Sequence, residues 1–184
     1  RLVERRSRTS FSAGDITFIQ SRPFFFLSTA FQSSVDCSFK GGEPGFVRCL
    51  DSHTLVWPDY DGNRMFRSLG NIRRQPYVGL LFIDFEGTNG NIKEHETKRL
   101  RVRGSATVVA SGDHLEFLRQ TLEPALMFVE VNILQVFTNC NRYIPSMDMK
   151  ESSIYNPRAD YTPPQPEWKT RPYIKELEVF NGDN

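Results

Sequence analysis

Long apolar runs, an excess of one charge and paired cysteines are all missing from this chain of 184 residues. The longest apolar stretches, such as 78–83, are far shorter than the roughly 20 residues that a membrane helix needs. Lys and Arg number 23 against 22 Asp and Glu, which gives a net charge of +1. This balance predicts no general attraction to nucleic acid or anionic lipid. We therefore expect neither as a partner, and any anion-binding site must be local.

Cysteine pairs and metal motifs are also missing. Three cysteines are odd in number and lack the C-x-x-C spacing of zinc and redox sites. Unpaired thiols are typical of a reducing compartment, which predicts a cytoplasmic protein. The chain has no H-E-x-x-H pattern and no recognisable arrangement of nucleophile, base and orienting residue. The sequence therefore predicts no metal site and no hydrolytic triad, and it leaves the catalytic residues unassigned.

What the chain does contain is a series of short β patterns. Strands are predicted at 24–30, 35–39, 45–50, 54–57, 77–85, 100–109 and 126–137. In the segment 100–109, apolar and polar side chains alternate, so one face of that strand should be buried. Ser12, followed three residues later by Asp15, is predicted to cap a first helix. Further helices are predicted at about 63–74, with Phe66, Leu69 and Ile72 as its buried stripe, and from 111 or 113 to 122. Antiparallel strands with few helices favour a barrel or closed sandwich over a doubly wound sheet.

The length and the 39% hydrophobic content suit one globular domain. We divide the chain into an N-terminal arm and helix over 1–22, a barrel domain over 23–145 and a proline-rich extended tail over 146–184. The tail should pack on the barrel or on a neighbouring subunit. A long loop is predicted at 86–99, and a short helix at 172–177.

The stretch most informative for function leads from Lys40 to Arg64. Around residue 62, a turn rich in glycine and asparagine runs into a predicted helix, whose first N–H groups are free at the positive end of the helix dipole. Such an end suits a phosphate, with Arg64 and Lys40 as cations. Alternatively, Asn63 caps the helix and Arg64 pairs with Asp59 or Asp61. Spacing alone favours neither interpretation.

Several segments of the chain together resemble a known family. The segments FFFLSTA, VDCSFKGGEPGFVRCLD, TLVWPDYDGNRMFRSLGN, PYVGLLFIDF and RLRVRGSATVV are similar, in order and spacing, to the flavin-binding core of pyridoxamine 5'-phosphate oxidase-like proteins. The resemblance covers about 24–109, and the segment VFTNCNRYI at 136–144 is similar to a lesser degree. It implies a mainly β (α+β) fold, a six-stranded antiparallel split β-barrel with a few flanking helices. It also implies a homodimer that holds FMN in a cleft at the subunit interface.

The resemblance also implies cofactor-binding residues. The flavin ring should lie along the backbone of Gly45, Phe46, Val47 and Arg48, and the phosphate should lie near Trp57, Pro58, Asp59, Asn63 and Arg64. Where the oxidase usually carries Arg-Lys, this chain has Arg64-Met65, so we assign Lys40 as the second phosphate cation. Arg99 or Arg101 occupies the region where the family places a polar group near the ring. Arg101 is equally consistent with a solvent-facing strand residue.

The expected function is that of an FMN-dependent oxidoreductase acting on a small-molecule substrate or electron donor. The basic C-terminal signature with which the oxidase holds pyridoxal phosphate has no match at 168–172, so the resemblance supports the flavin rather than vitamin B6 as substrate. One alternative is a non-catalytic flavin carrier or sensor, favoured by the absence of an identifiable acid–base set. Another is the same fold with deazaflavin or haem.

Overall fold

The fold is dominated by one antiparallel sheet. A computed structural model describes residues 7–60, 62, 65–86, 98–109, 118, 125–158 and 160–172. In this part of the chain the strands are β1 Phe24–Phe31, β2 Ser34–Gly41, β3 Arg48–Cys49, β4 Thr54–Tyr60, β5 Tyr77–Asp84, β6 Lys98–Val109 and β7 Ala125–Thr138. Their order is β2-β1-β5-β6-β7-β4-β3. The helices are α1 Ala13–Gln20, α2 Arg67–Arg74 and a 3-10 turn at Glu167–Thr170.

The mainly β, antiparallel prediction is confirmed, but the number of strands is wrong. The resemblance implied six strands, whereas the described residues form seven. All seven segments with a β pattern contain a strand, although β3 is much shorter than the predicted 45–50. The reason is a turn in which the Phe46 amide donates to the Glu43 carbonyl at 2.9 Å. Gly45 lies within this turn and has a φ of +93°, in the region that glycine adopts without strain.

The sheet curls until its two ends face each other. Strand β2 is first in the sheet order and β4 is sixth. Nevertheless, Lys40 of β2 contacts Asp59 of β4, with 2.8 Å between Nζ and Oδ1. The two edge strands, β2 and β3, are also consecutive in sequence and are joined by residues 42–47. The result is a barrel-like sheet with a gap between its edges, as expected for a split barrel.

Aromatic and branched side chains fill the inside of the curled sheet. The Phe25 ring packs edge-on against Trp57 and also contacts Phe82, with 5.1 Å between ring centroids in each case. All three side chains are fully buried. The predicted alternation along β6 is confirmed, because Leu100 and Val102 are buried while the arginines between and after them are exposed.

The two helices differ in how well their starts were predicted. Helix α1 has the predicted Ser12 cap, which forms a reciprocal capping box with Asp15. Helix α2 begins at Arg67 rather than at residue 63, so that prediction is wrong. The cause is Phe66, which has a φ of 47° and a left-handed backbone conformation that ends the helix on its N-terminal side. Phe66 is also 36% exposed, so it does not belong to the predicted buried stripe.

Several predicted elements lie wholly or mostly outside the described residues. Apart from residue 118, the predicted helix up to residue 122 lies outside the described residues, as do most of the 86–99 loop and most of the C-terminal helix. Strand β6 begins at Lys98, two residues before its predicted start. Within the described ranges, every helix is too short or too polar to cross a membrane.

Candidate functional site

A cavity of about 590 Å³ occupies the gap between the sheet edges. Its size falls within the range of about 300–1,000 Å³ typical of small-molecule sites. Strand β3 pairs with β4 only at Val56 and Leu55, so the backbone edge of β4 beyond Val56 meets no further strand in the described part of the chain. The lining comes from β2, the end of β4 and the start of α2: Asp36, Ser38, Phe39, Lys40, Gly41, Phe46, Pro58, Asp59, Tyr60, Gly62, Met65, Phe66, Arg67, Ser68 and Leu69.

Polar side chains hold the two sides of this gap together. Alternate residues of β2 point into the gap because successive strand side chains face opposite sides. Three pairs, which we call the polar seam, cross it: Asp36–Arg67 at 3.9 Å, Ser38–Ser68 at 3.0 Å and Lys40–Asp59 at 2.8 Å. The seam thus joins β2 to β4 through Lys40–Asp59 and to the start of α2 through the other two pairs, by side chains rather than by backbone hydrogen bonds.

The Lys40–Asp59 pair is the more buried of the two charged pairs of the seam. The Asp59 side chain is 8% exposed and that of Lys40 is 21% exposed. Removal of one partner would leave the other charge without compensation in a poorly solvated position. A lysine ammonium carries three donors, so the bond to Asp59 leaves donors for a ligand. The sequence left open a pairing of Asp59 with Arg64; the structure pairs Asp59 with Lys40, and Arg64 lies outside the described residues.

Aromatic side chains form the apolar part of the cavity wall. Phe46 is 2% exposed and is stacked against Phe25, with 6.0 Å between centroids. Phe39, Tyr60 and Phe66 also line the cavity. Burial and, secondarily, the nearby charge of Glu43 raise the pKa of Tyr60 to about 12. Tyr60 is therefore a neutral phenol at physiological pH and can donate a hydrogen bond to a bound molecule.

The N-terminus of α2 forms one end of the cavity. Phe66 makes no side-chain capping bond, and the first-turn residues Arg67, Ser68 and Leu69 line the cavity. The first N–H groups of a helix have no partner within the helix, and they lie at its positive end. The Arg67 side chain is 62% exposed, and its contact with Asp36 is long, at 3.9 Å. Its guanidinium is thus free to turn towards an anion.

Sequence reasoning missed Arg67 and Ser68 as site residues. It placed the helix start at residue 63, and therefore assigned the anion contact to Asn63 and Arg64, which lie outside the described residues. The available signal was the position of a basic residue and a hydroxyl residue directly before Leu69, where the buried stripe of the helix begins.

The structure brings together only part of the predicted site. Lys40, Phe46, Pro58 and Asp59 line the cavity. Four more predicted residues lie beside the cavity on the loop, β3 and β4: Gly45, Val47, Arg48 and Trp57. Arg99 and Arg101 lie on β6, and Asn63 and Arg64 lie outside the described residues. Arg101 is exposed on the face opposite the buried residues of β6.

Some of these neighbouring residues have unsatisfied donors. Within the described part of the chain, no hydrogen-bond partner is found for the buried Nε atoms of Arg48 and Arg99 or for the Trp57 Nε1 atom. A buried donor without a partner costs about 1–3 kcal/mol. Arg48 is notable because its guanidinium lies 3.7 Å from the position that a Cβ on Gly45 would occupy. Both residues belong to the segment predicted to contact the flavin ring.

No three His, Cys, Asp or Glu side chains are placed to share a metal ion in the described ranges. Cys49 is also an unsuitable ligand or nucleophile, because burial, with a smaller contribution from Asp15 and Asp51, raises its pKa to about 12. A thiol must lose its proton to act in either role. The candidate site is therefore a binding cavity of aromatic rings, a charged seam and a helix N-terminus.

Comparisons with known proteins agree with this architecture. A family profile described as pyridoxamine 5'-phosphate oxidase matches residues 16–140, which is more than half of the chain. No curated protein sequence matches the chain. The fold is similar to that of HupZ from Group A Streptococcus, at 12% identity and a TM-score of 0.50, over 75% of this chain and 100% of that one.

Two further solved structures are similar. One is an FMN-binding protein from Syntrophomonas wolfei subsp. wolfei, with a TM-score of 0.50 and 8% identity, over 68% of this chain and 85% of that one. The other is a FAD-binding protein from Mesorhizobium loti, with a TM-score of 0.45 and 17% identity, over 71% of this chain and 94% of that one. The two neighbours with a TM-score of 0.50 are 12% and 8% identical to this chain, so their likeness concerns the fold alone.

Proposed function

The chain belongs to the pyridoxamine 5'-phosphate oxidase family, and from that premise we propose that it binds FMN in the cavity between the sheet edges and acts as a flavin-dependent oxidoreductase. The observation that carries the proposal is the composition of this cavity. It combines aromatic walls, which suit a planar ring, with the positive end of α2, which suits a phosphate.

The phosphate end has enough donors to hold a dianion. The first-turn N–H groups of α2 and the Arg67 guanidinium are the main contacts in this proposal, and the Lys40 ammonium is the second cation. Because Lys40 also bonds to Asp59, it contributes less net charge than a free lysine. Arg64, which the sequence assigns to the phosphate, remains a predicted third cation. Charge-assisted contacts of this type are about twice as strong as neutral hydrogen bonds.

The remaining residues bind and shield the ring. FMN, when bound, supplies hydride transfer, and the protein supplies orientation, exclusion of water and nearby charge. Phe46 and Phe39 provide apolar contact on the wall, and the Tyr60 hydroxyl provides a neutral donor. Arg48, on the strand assigned to the ring, lies beside the cavity and adds a positive charge near it. No proton transfer by a protein acid is required when hydride passes directly between substrate and cofactor.

We further propose that the protein is a homodimer. The outer face of β2 exposes Val35 and Phe39, which are 77% and 61% accessible. Phe39 is stacked on Phe24 at 5.2 Å, and Phe24 in turn contacts Phe26 and Phe85. Contiguous exposed apolar surface of this kind marks interaction sites in soluble proteins. A partner on this face would also shelter the side of the cavity next to Phe39.

The test begins with the visible spectrum of the purified protein and an FMN titration followed by fluorescence. The Arg67→Ala variant should bind FMN about 10–100-fold more weakly, because a charge-assisted contact contributes about 1.5–3 kcal/mol. Arg73→Ala is the matched control, since Arg73 is exposed on the last turn of the same helix and should leave the dissociation constant unchanged.

The FMN titration, the Arg67→Ala variant and a turnover assay test separate parts of the proposal. A colourless protein that takes up no FMN contradicts the cofactor assignment. Normal FMN binding by Arg67→Ala removes Arg67 from the phosphate site. Turnover of a reductant and acceptor above the background of free FMN supports an enzyme, whereas tight FMN binding without any turnover favours the carrier or sensor.

A further inference from the structure

A segment of the C-terminal tail folds back onto the barrel near the cavity. Residues 147–158, which we call the return segment, begin beside the end of β5. There the Met147 amide donates to the Phe85 carbonyl at 3.0 Å, and the Met149 amide donates to Glu86 Oε1 at 3.4 Å. These contacts bring the start of the return segment to the barrel, but they do not determine where its other half lies.

The second half of the return segment is bound by the carboxylate of Glu43. Ser152 Oγ donates to Glu43 Oε2 at 3.3 Å, and Asn156 Nδ2 donates to Oε1 at 3.3 Å. Arg158 Nε lies 3.5 Å from the same Oε1. Each contact is long and partly exposed, and a single one would contribute little. Three donors on one carboxylate, from positions more than 100 residues away in sequence, nevertheless define one attachment point.

Contacts within the C-terminal tail hold Arg158 in position for its ion pair with Glu43. The Tyr161 hydroxyl donates to the Ile154 carbonyl at 2.8 Å, which closes a loop around Arg158. The Arg158 guanidinium lies over the Tyr161 ring, 4.8 Å from its centroid. An arginine held in this way loses less side-chain entropy when it forms an ion pair.

Glu43 in turn connects to the cavity wall. Its carbonyl accepts from the Phe46 amide at 2.9 Å, and Phe46 lines the cavity. A Cβ on the neighbouring Gly42 would lie 2.6 Å from the Phe46 ring, so loop and ring pack with no space between them. The effect of Glu43 on the pKa of Tyr60 places its charge near a second lining residue.

We propose that Glu43 is a positioning residue, which fixes the return segment to the 42–47 loop and thereby holds the Phe46 and Tyr60 walls of the cavity in place. The inference rests on the proposed function insofar as the molecule retained in the cavity is FMN. Loss of the carboxylate releases both the return segment and the loop, and FMN then leaves the cavity faster.

The variants are Glu43→Ala, Glu43→Gln and the control Glu151→Gln, whose exposed carboxylate belongs to the same segment. FMN release is measured by stopped-flow fluorescence, and hydrogen–deuterium exchange is measured in peptides covering 42–47, 147–158 and 100–109. Glu43→Ala should release FMN about 3–10-fold faster, which corresponds to the loss of a few weak contacts. Glu43→Gln, which retains one acceptor oxygen, should be intermediate, and Glu151→Gln should match the wild type.

Exchange in 42–47 and 147–158 should rise in Glu43→Ala while the β6 peptide 100–109 stays protected, which distinguishes local release from general destabilisation. Unchanged exchange in the first two peptides overturns the proposal, as does faster exchange with an unchanged FMN release rate. If the wild type takes up no FMN, the proposed function fails. In that case, the test of Glu43 is the hydrogen–deuterium exchange of the 42–47 peptide alone: faster exchange in Glu43→Ala than in the wild type supports a positioning role, and equal exchange contradicts it.

Discussion

Gly104 shows how a single residue permits the close contact between the two longest strands. It lies on β6 at the point where the register with β7 shifts. A Cβ built there would lie 2.2 Å from Val131 Cγ1 and 2.6 Å from the Asn132 carbonyl oxygen. The second of these is a backbone atom, which no side-chain rotation can move away. Only glycine therefore fits this position without displacement of a strand.

We predict that Gly104→Ala lowers the free energy of unfolding by about 1–3 kcal/mol or more, as expected for overpacking in a closely packed interior. Denaturant unfolding followed by tryptophan fluorescence measures the change. Gly70→Ala is the control, because an added methyl group there meets no atom within 4 Å. It should be neutral or stabilise α2 by up to about 1 kcal/mol. Equal stability of the two variants would contradict the close approach of β7.

The site residues show what a pattern can and cannot predict. Lys40, Phe46 and Asp59 were assigned to the site through the family resemblance and the local charge pattern, and all three line the cavity. Their mutual arrangement was not predictable. The Lys40–Asp59 bond joins the first strand of the sheet order to the sixth, so it depends on the curl of the whole sheet rather than on any local sequence.

At the level of elements, α1 illustrates a helix start that the sequence encodes locally. The Asp15 carboxylate accepts from the Ser12 amide at 2.8 Å and pairs with Arg8 at 2.6 Å. Burial alone raises the pKa of Asp15, but the bonds from Arg8 and Ser12 outweigh burial, and the net pKa is lowered. A carboxylate with a lowered pKa stabilises the fold at neutral pH.

We predict that Asp15→Asn reduces the free energy of unfolding at pH 7 and that its difference from the wild type shrinks in acid. The contribution of Asp15 is present above the unfolded-state pKa of about 4 and is lost as the pH falls through the lower folded-state value. Thermal unfolding at several pH values measures this. Ser12→Ala, which removes the uncharged part of the cap, should cost about 1 kcal/mol. A constant penalty for Asp15→Asn across the pH range would exclude the charge as its cause.

Helix α2 is the opposite case. Its buried residues Leu69 and Ile72 follow the predicted spacing, but its start does not. The left-handed conformation of Phe66 is unusual for an aromatic residue, and the surrounding residue types do not signal it. Strands with regular alternation, such as β6, were predictable because burial on one face dictates the pattern. The length of β3 was not predictable, because the turn at residues 43–46 delays the start of the strand until Arg48.

For the whole molecule, the exposed face of β2 predicts self-association. A Val35→Glu substitution places a charge on this face without altering a cavity-lining residue, and it should shift a dimer towards monomer. Light scattering over a range of concentrations measures the mass. Tyr143→Glu is the control, since Tyr143 is 92% exposed in the segment after β7. A wild-type protein that is monomeric with flavin bound would refute the dimer.

The polar seam has a consequence for how such a protein diversifies. A barrel closed by backbone hydrogen bonds resists change at its junction, because every amino acid except proline contributes the same amide and carbonyl groups. Here the junction consists of Asp36, Ser38 and Lys40 on one side and their partners on the other. A substitution in one of these residues changes the size or charge of the opening without removing a backbone hydrogen bond between strands, and only at the Lys40–Asp59 pair does it leave a poorly solvated charge without compensation. Ligand preference at this opening therefore depends on a few side chains and can change while the fold stays the same.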